Sequence, residues 1–575
     1  MAPPAPSPGS TATASPVPSP VPSPVPSPVP SSGPASPPAP GASPHPSSGG
    51  FLARATLVTA VLSVAGALLG LGRDQALARL FGAGVATDAF LVAWTVPEMA
   101  ATLLIEDGMA FLLVPAFSGA LARRAGGRGS PDPVRALVAA SLPRLSLAFA
   151  AVAAVLVAGA PLLVGVLAPG LPHPALAIAC TRLTATCVLT FGLAGYCSSA
   201  LRAHRSYLAP ATIYVAYNTT IIATMFALGA HWGVRSAALG VALGGCLMGA
   251  VQAPSLWRRI AKCPDQPAAA FRRDGEQSLT PAPALVLAVL LFALCRQSQV
   301  LIERHFASLL PAGAISHLNY AQKIGQLPMS VALMLCVVTF PVLARAMADG
   351  DTVRARDRIE RDLVMVTGIV LLGAAVISVC APQIVQVLFQ RGAFTAQDTA
   401  ATATVLRVYT LGLLGHTLVG ALVRSYFSAG RTTWYPTGVM AVGMVATAVI
   451  SACTVGTWGA SGIAAANSVG ITVTALLLLR GLGGRSVAVR IRRVGAELAM
   501  TVDAALGAAG TGYLCTLPFA SPLAGLAAGC LGVTAVYLPL VWLLDVAGAR
   551  SLTPAALRTL RTLRRFPTRR KSRGR

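Results

Sequence analysis

Charged side chains occur within stretches of this sequence that are otherwise apolar enough to cross a membrane. The segment GLGRDQALARLFGAGVATDAF, residues 70–90, joins two such stretches and contains Arg73, Asp74 and Asp88. Charge at membrane depth is costly, so it usually faces a partner or a water-filled cavity. The ionisable residues that fall at such depths are Arg73, Asp74, Asp88, Glu98, Glu106, Asp107, Arg296, Glu303, Arg304, Lys323, Arg407 and Arg424. They lie mainly in the first, second, seventh and eighth apolar stretches.

The mixture of cations and carboxylates predicts a cavity that binds an anionic group. The planar guanidinium of arginine can donate two parallel hydrogen bonds to phosphate oxygens, whereas the ammonium of lysine acts as a point charge. Neighbouring carboxylates would hold the cations in place between substrates, or couple the movement of protons or other ions. The residues that we assign to this water-filled cavity are Arg73, Asp88, Glu106 and Lys323.

Helix geometry adds further expectations about the charged residues. Arg73 and Asp74 are adjacent and point about 100° apart on a helix, so we do not expect them simply to pair with each other. Arg296 and Glu303 are seven residues apart and share one face after two turns, which makes both candidate cavity charges. Arg304 is instead expected to have a structural role, either in a buried ion pair that fixes the register of its helix or by extending its charge to water from the helix end.

The composition indicates an all-α polytopic membrane protein. The chain has 575 residues, of which 55% are hydrophobic and 11% charged, and its mean hydropathy is +0.69. An average soluble domain has about 25% charged residues. Apolar stretches of about 20 residues, each long enough to cross the bilayer core, recur from residue 51 to residue 545. They number about fourteen and lack the alternation of a membrane β-barrel.

Arginine is concentrated in alternate connections between the apolar stretches. One set includes RRAGGRGSPDPVR, WRRIAKCPDQPAAAFRRDGEQ and RGLGGRSVAVRIRRV. The other set includes FGAGV, APGLPHPA, LLPAG and QRGAF, and its one arginine is Arg391. The positive-inside rule places the arginine-rich loops, and with them both termini, in the cytoplasm. The net charge of +25 is therefore interpreted as topogenic, and nucleic acid is not a predicted partner.

The two ends of the chain differ from its apolar centre, and no part of it has a catalytic motif. Residues 1–50 are rich in Pro and Ser without any Lys, Arg, Asp or Glu, which predicts a disordered tail. Residues 550–575 form a basic tail that suits anionic membrane lipids. No nucleophile, phosphate-loop or metal-binding motif occurs in a suitable context. We predict no catalytic residue, no metal and no cofactor.

Three segments of the chain, taken in order, have a specific family signature. They read GRDQALARLFGAGVATDAFLVAWTVP, ERHFASLLPAGAISHLNYAQKIGQLPMSVALMLCVVTFPVLAR and VLFQRGAFTAQDTAATATVLRVYTLGLLGHTLVGALVRSYFSAGRTTWYP. The sequence here resembles the MurJ (MviN) lipid II flippases of the multidrug/oligosaccharidyl-lipid/polysaccharide exporter superfamily. The resemblance implies a transporter without covalent catalysis in the bacterial plasma membrane. It would move lipid II, the lipid-linked peptidoglycan precursor, from the inner to the outer leaflet by alternating access for cell-wall synthesis.

The resemblance also implies how the chain is divided and which residues bind substrate. It implies fourteen helices in two lobes around a central cavity. The expected divisions are the cytoplasmic tail 1–50, the N-lobe with helices 1–6 at 51–257, a cytoplasmic loop at 258–281, the C-lobe with helices 7–12 at 282–480, helices 13–14 at 481–549 and the basic tail 550–575. The substrate-binding positions would be Arg73, Asp74, Asp88, Glu106 and Lys323.

The chain departs from the family where the family has further cavity arginines. These positions are Ala67, Ala101 and Thr102 here, and the Asp and Asn ion site of some members is not recognisable. Two alternatives therefore stay open. One is a diverged exporter of another glycolipid or amphiphile, and the other is a non-transporting membrane scaffold for cell-wall synthesis proteins. If the protein is a lipid II flippase, its predicted partners are a lipid-linked pyrophosphate glycolipid and the surrounding membrane lipids.

Overall fold

The computed structural model describes residues 47–106, 108–125, 132–261, 283–427, 433–485 and 489–545, and Asp107 lies outside them. Packing divides the chain into residues 1–53 and residues 54–575, and every contact described below lies within the second unit. Helix α1 begins at Ser47, inside the predicted tail. The rest of that tail (1–46), residues 262–281 of the predicted loop and the basic tail lie outside the described residues.

All regular structure in the described part of the chain is helical. The helices of the first half are α1 (Ser47–Phe81), α2 (Val85–Ala100), a π-helical segment (Ala101–Glu106), α3 (Gly108–Ala125), α4 (Pro133–Ala158), α5 (Ala160–Leu167), α6 (Pro174–Ala185), α7 (Cys187–Ala203), α8 (Leu208–Trp232) and α9 (Arg235–Ala261). Those of the second half are α10 (Pro283–Ala307), α11 (Ala314–Ala348), α12 (Thr352–Phe389), α13 (Ala396–Thr410), α14 (Leu413–Phe427), α15 (Tyr435–Arg485), α16 (Ile491–Thr516) and α17 (Pro522–Leu543).

Many of these helices are long and apolar enough to cross a bilayer. Among the described residues nine helical segments pass this test, or ten if α13 and α14, which meet at 48°, form one bent span. The predicted all-α polytopic membrane class is thereby confirmed. The count of about fourteen spans and the division into two lobes stay predictions. Gly459 interrupts α15 with a φ of +55°, so α15 consists of two helices joined at a kink.

Two prolines inside helices are compensated by side chains from neighbouring helices. Proline has no N–H, so it leaves the carbonyl four residues earlier without its helical partner. In α2, Pro97 frees the carbonyl of Ala93, and Thr184 Oγ1 on α6 donates to that oxygen at 3.0 Å. In α12, Pro382 frees the carbonyl of Ser378, and the Nε of Arg407 donates to it at 3.2 Å. Prolines inside helices are tolerated in a membrane when the freed backbone groups find partners.

Aromatic packing and close helix contacts fix the position of α2. Trp94 lies 6.2 Å from Tyr217 on α8, and Tyr217 lies 5.4 Å from Phe191 on α7, measured between ring centroids. The π-helical segment that follows α2 lies against α7 so closely that a Cβ at Gly195 would overlap the carbonyl oxygen of Leu104. A small residue at such a contact lets two backbones approach. Trp94 of α2 therefore contacts α8, and the π-helical segment that continues α2 packs against α7.

Candidate anion-binding site

One turn of α2 contacts cationic side chains from two helices of the second half of the chain. Lys323 on α11 donates from Nζ to Glu98 Oε1 at 3.1 Å. Arg304 on α10 donates to Glu98 Oε2 at 3.3 Å and also to Thr95 Oγ1. Glu98 thus holds a lysine and an arginine at once and joins α2 to α10 and α11. Of the two structural roles expected for Arg304, the geometry shows the buried ion pair.

A third cation reaches the same turn of α2 from α1. The guanidinium of Arg73 lies 4.3 Å from the ring centroid of Trp94, which is within the range of a cation–π contact. Its Nη1 donates to Asn218 Oδ1 on α8 at 3.2 Å. Trp94 and Glu98 are four residues apart and are therefore neighbours on one face of α2. Arg73 is thus brought to the turn that also holds Lys323.

The prediction that Arg73 and Asp74 would not pair is wrong. Arg73 donates to Asp74 Oδ1 from Nε at 3.0 Å and from Nη2 at 2.7 Å. The prediction compared only the directions in which the two side chains leave the helix. An arginine side chain is long enough to curl back to the carboxylate of its neighbour. Arg73 has a second partner as well, because its Nη1 donates to Asn218.

The cluster has one more positive than negative charge and is partly open. Its cations are Arg73, Arg304 and Lys323, and its carboxylates are Asp74 and Glu98. The side chains of Lys323 and Glu98 keep 20% and 21% of their surface exposed, whereas that of Arg304 keeps 5%. An anion can therefore reach Lys323 and compete with Glu98 for its ammonium. In such an arrangement an arginine guanidinium and the lysine ammonium can bind phosphate oxygens together.

Asp88 occupies a different place, at the start of α11. Its carboxylate accepts hydrogen bonds from the backbone N–H of Gly313 at 2.6 Å, the N–H of Ser316 at 2.8 Å and Ser316 Oγ at 2.5 Å. Asp88 is 3% exposed. A carboxylate at a helix N-terminus satisfies free N–H groups and suits the positive end of the helix dipole. Asp88 therefore joins α2 to α11, with both of its oxygens engaged by that helix end.

Further contacts near this end also join the two halves of the chain. The N–H of Ala393 donates to the carbonyl of Arg79 at 2.9 Å. The N–H of Gly170 donates to Ser308 Oγ at 3.3 Å, and His305 Nδ1 lies 2.9 Å from the carbonyl of Val166. These residues belong to, or directly flank, the arginine-poor connections. The two halves of the chain are thus held together at the arginine-poor connections.

The remaining predicted site residues have other partners. Glu106, at the end of the π-helical segment, is exposed and accepts a hydrogen bond from the Tyr214 hydroxyl at 3.0 Å. Glu303 is 5% exposed and accepts from Asn467 Nδ2 on α15. Arg296 is exposed and lines, with Asn467, a small cavity of about 70 Å³. The structure therefore brings Arg73, Asp74 and Lys323 to one turn of α2 and places the others in separate settings.

Sequence reasoning did not assign three residues that organise the cluster. Glu98 was visible as an acidic residue within an apolar stretch, directly after Pro97, but nothing local distinguished it from its neighbours. Trp94 and Asn218 have no signal in the sequence, because an aromatic or amide side chain in a membrane helix is ordinary. Only the packing of α1, α2 and α8 shows that both contact Arg73.

The apolar helical fold, with kinked helices and a cationic site between its two halves, defines a polytopic membrane protein of transporter architecture. The fold is similar to the solved structure titled "Lipid II flippase MurJ, inward closed conformation", with a TM-score of 0.68 at 20% identity over 86% of this chain and 100% of that one. It is also similar to an inward-facing multidrug resistance MATE family transporter of the MOP superfamily, with a TM-score of 0.59 at 15% identity over 76% and 99% of the two chains.

The sequence places the chain within one family. A family model described as lipid II flippase MurJ matches residues 77–521, and the chain belongs to that family. It is 28% identical to the lipid II flippase MurJ of Burkholderia cenocepacia over 516 residues, which cover 86% of this chain and 97% of the relative. It is 28% identical to a probable lipid II flippase MurJ of Rhizobium meliloti, over 73% of this chain and 79% of that one. The resemblance found in the sequence is thereby confirmed.

Proposed function

We propose that the protein moves lipid II from the inner to the outer leaflet of the bacterial plasma membrane by alternating access. The observation that supports this most is the meeting of Arg73, Arg304 and Lys323 at one turn of α2, between the two halves of the chain. Membership of the MurJ family supports lipid II as the substrate. The protein supplies binding energy and a change of access, and no covalent step is needed.

The substrate head group enters from the cytoplasm, while its lipid tail stays in the bilayer. Its pyrophosphate binds Lys323, whose ammonium then gives up its contact with Glu98. The pyrophosphate also binds Arg73, whose guanidinium is held in position by Asp74, Asn218 and Trp94. Exchange of the Glu98 contact for a phosphate contact weakens one link between α2 and α11. Substrate binding is thereby coupled to the separation of the two halves.

Outward opening requires the contacts on the arginine-poor side to separate. The strongest of these is the set of hydrogen bonds from Gly313 and Ser316 to Asp88, because the acceptor is a buried carboxylate. We place this side, by its lack of arginine, on the outer face of the membrane, with both termini in the cytoplasm. Asp88 thus serves the transport cycle as a latch between the halves and not as a ligand of the head group.

Complementation of a bacterium depleted of its own lipid II flippase tests the proposal. Wild type should restore growth and the appearance of lipid II in the outer leaflet, and Arg73→Gln and Lys323→Met should not. Arg258→Gln is the matched control, because Arg258 is exposed at the end of α9 outside the cluster. Each variant is compared at equal membrane abundance.

The same experiment separates the alternatives. A scaffold for cell-wall synthesis proteins would tolerate Arg73→Gln and Lys323→Met, because neither change alters an outer surface. A well-expressed wild type that fails to restore growth would exclude lipid II transport in that host. It would favour export of another glycolipid or amphiphile through the same site.

A further inference from the structure

A second cavity lies between α1 and α8, within the first half of the chain. Its volume is about 540 Å³, and small residues of α1, among them Ala67 and Gly70, line one wall. The two helices are in close contact at Gly66, where an added Cβ would lie 3.1 Å from the Cβ of Tyr214. Of the residues that form or support the cationic cluster on α2, Asn218 lines this cavity, whereas Arg73, Arg304 and Lys323 do not.

The polar groups at the inner end of this cavity already have partners. Asn218 accepts from Arg73 at 3.2 Å and donates to the carbonyl of Gly66 at 3.2 Å. The inner end is therefore separated from Arg73 by one amide side chain. Farther along the wall, Tyr214 donates its hydroxyl proton to Glu106, and Ser63 donates to the carbonyl of Thr59. None of these donors remains for a ligand.

The opposite end of the cavity has a cation and a hydroxyl without partners. Arg202 lies in the last turn of α7, and Tyr207 directly precedes α8. Within the described ranges neither side chain makes a hydrogen bond or an ion pair, and Tyr207 is 55% exposed. The connection between them contains the arginine-rich sequence RAHRS, which the positive-inside rule places at the cytoplasmic face.

This distribution of charge suits one class of ligand. A guanidinium at the edge of an apolar cavity favours an anion, and its fork of donors matches phosphate oxygens. Along α8, Pro210 and Asn218 both line the cavity and are eight residues apart, which is about 12 Å on a helix. The cavity therefore leads from a free cation at the cytoplasmic end to the amide that holds Arg73.

We propose that this cavity is the entry site for the anionic head group, where Arg202, with the hydroxyl of Tyr207, binds the pyrophosphate of a polyprenyl-linked substrate before it reaches Arg73. The inference rests on the proposed function and adds a binding site to it. Arg202 is thereby the first cation that the substrate meets, and it stands on a helix that contributes nothing to the cluster on α2. The small side chains of Ala67 and Gly70 leave the room that the head group needs.

Binding to the full-length protein in nanodiscs tests the inference. The probe is undecaprenyl pyrophosphate, measured by native mass spectrometry, and a second arm uses phosphatidylglycerol. Arg202→Gln should weaken binding of undecaprenyl pyrophosphate about tenfold, as expected for the loss of a charged hydrogen-bond donor. Arg202→Lys should retain part of the affinity, and the control Arg258→Gln should equal wild type. Ala67→Leu, which keeps Arg202 but fills the cavity, should weaken binding as well.

The outcomes separate this inference from the proposed function. Equal affinity of Arg202→Gln and Arg258→Gln for undecaprenyl pyrophosphate overturns the inference, even if wild type restores growth in the flippase-depleted host. An effect of Arg202→Gln on phosphatidylglycerol alone also overturns it, because the site would then belong to a membrane phospholipid. Loss of binding in Arg202→Gln, with a wild type that fails to restore growth, supports the site and contradicts the function. If Arg202→Gln does not accumulate, Ala67→Leu decides.

Discussion

The latch at Asp88 can be weakened without removing its side chain. In Asp88→Asn one oxygen still accepts, but the other position becomes an amide that faces backbone N–H groups. The carboxylate of wild type accepts three hydrogen bonds, from Gly313 and Ser316. Hydrogen bonds to a charged group contribute about 1.5–3 kcal/mol each. Loss of at least one of them, together with the negative charge at the start of α11, should cost about 2–3 kcal/mol.

Hydrogen exchange of the full-length protein measures this cost directly. The amides of Gly313 and Ser316 are protected by Asp88, so they exchange only when the contact opens. A loss of about 2–3 kcal/mol raises the opening equilibrium, and hence their exchange rate, about 30- to 150-fold. The measurement is made by mass spectrometry on a peptide that covers residues 311–318. Asp503→Asn is the control, because Asp503 is exposed on α16.

Two results would refute the reasoning about the latch. Exchange of the 311–318 peptide in Asp88→Asn within about twofold of wild type would show that the carboxylate does not hold the start of α11. An equal acceleration in Asp503→Asn would show that the effect is a general loss of stability. If the reasoning holds, Asp88→Asn also favours the outward-open state, because the latch closes that side.

Other predictions concern the helix prolines and the loop before α4. Thr184→Val should lower the free energy of unfolding by about 1 kcal/mol, because it leaves the Ala93 carbonyl, which Pro97 deprives of its helical donor, without a partner. An unchanged melting temperature in detergent would contradict this. Arg407→Leu should destabilise α12 by a similar amount for the same reason, whereas Arg407→Lys should retain part of the stability. Hydrogen bonds from Arg124 lower the pKa of the Asp132 carboxyl. Its contribution to stability is therefore present above the unfolded pKa, about 4, and is lost as the pH falls through the lower folded value. The melting temperatures of wild type and Asp132→Asn should converge as the pH falls below about 4. A difference that stays constant as the pH falls would refute the stabilising role of the Asp132 carboxylate.

Much of the fold could be predicted because membrane insertion depends on local composition. A run of about 20 apolar residues satisfies the bilayer wherever it occurs, so the class of the protein follows from hydropathy alone. The alternation of arginine-rich and arginine-poor loops adds a prediction of topology. The charged residues within the apolar stretches could also be recognised, because any charge at that depth needs a partner. Lys323 and Arg73 were found in this way.

The roles of the individual charges depended on contacts between distant segments. The sequence did not distinguish Asp88 from Arg73, because both are charged residues that lie between the same two apolar stretches. In the structure Asp88 caps α11 and Arg73 lies over Trp94, because the two side chains leave different helices in different directions. The same holds for Glu106, which binds Tyr214, and for Glu303, which binds Asn467.

The sequence by itself determined the apolar helices, the number and type of charges within them, and the family to which the chain belongs. Only the tertiary structure decided that Glu98 is the common partner of Lys323 and Arg304. The physical reason is the range of the forces. The cost of exposing or burying a side chain is set by its own chemistry, whereas an ion pair forms only where folding brings two particular atoms within about 4 Å.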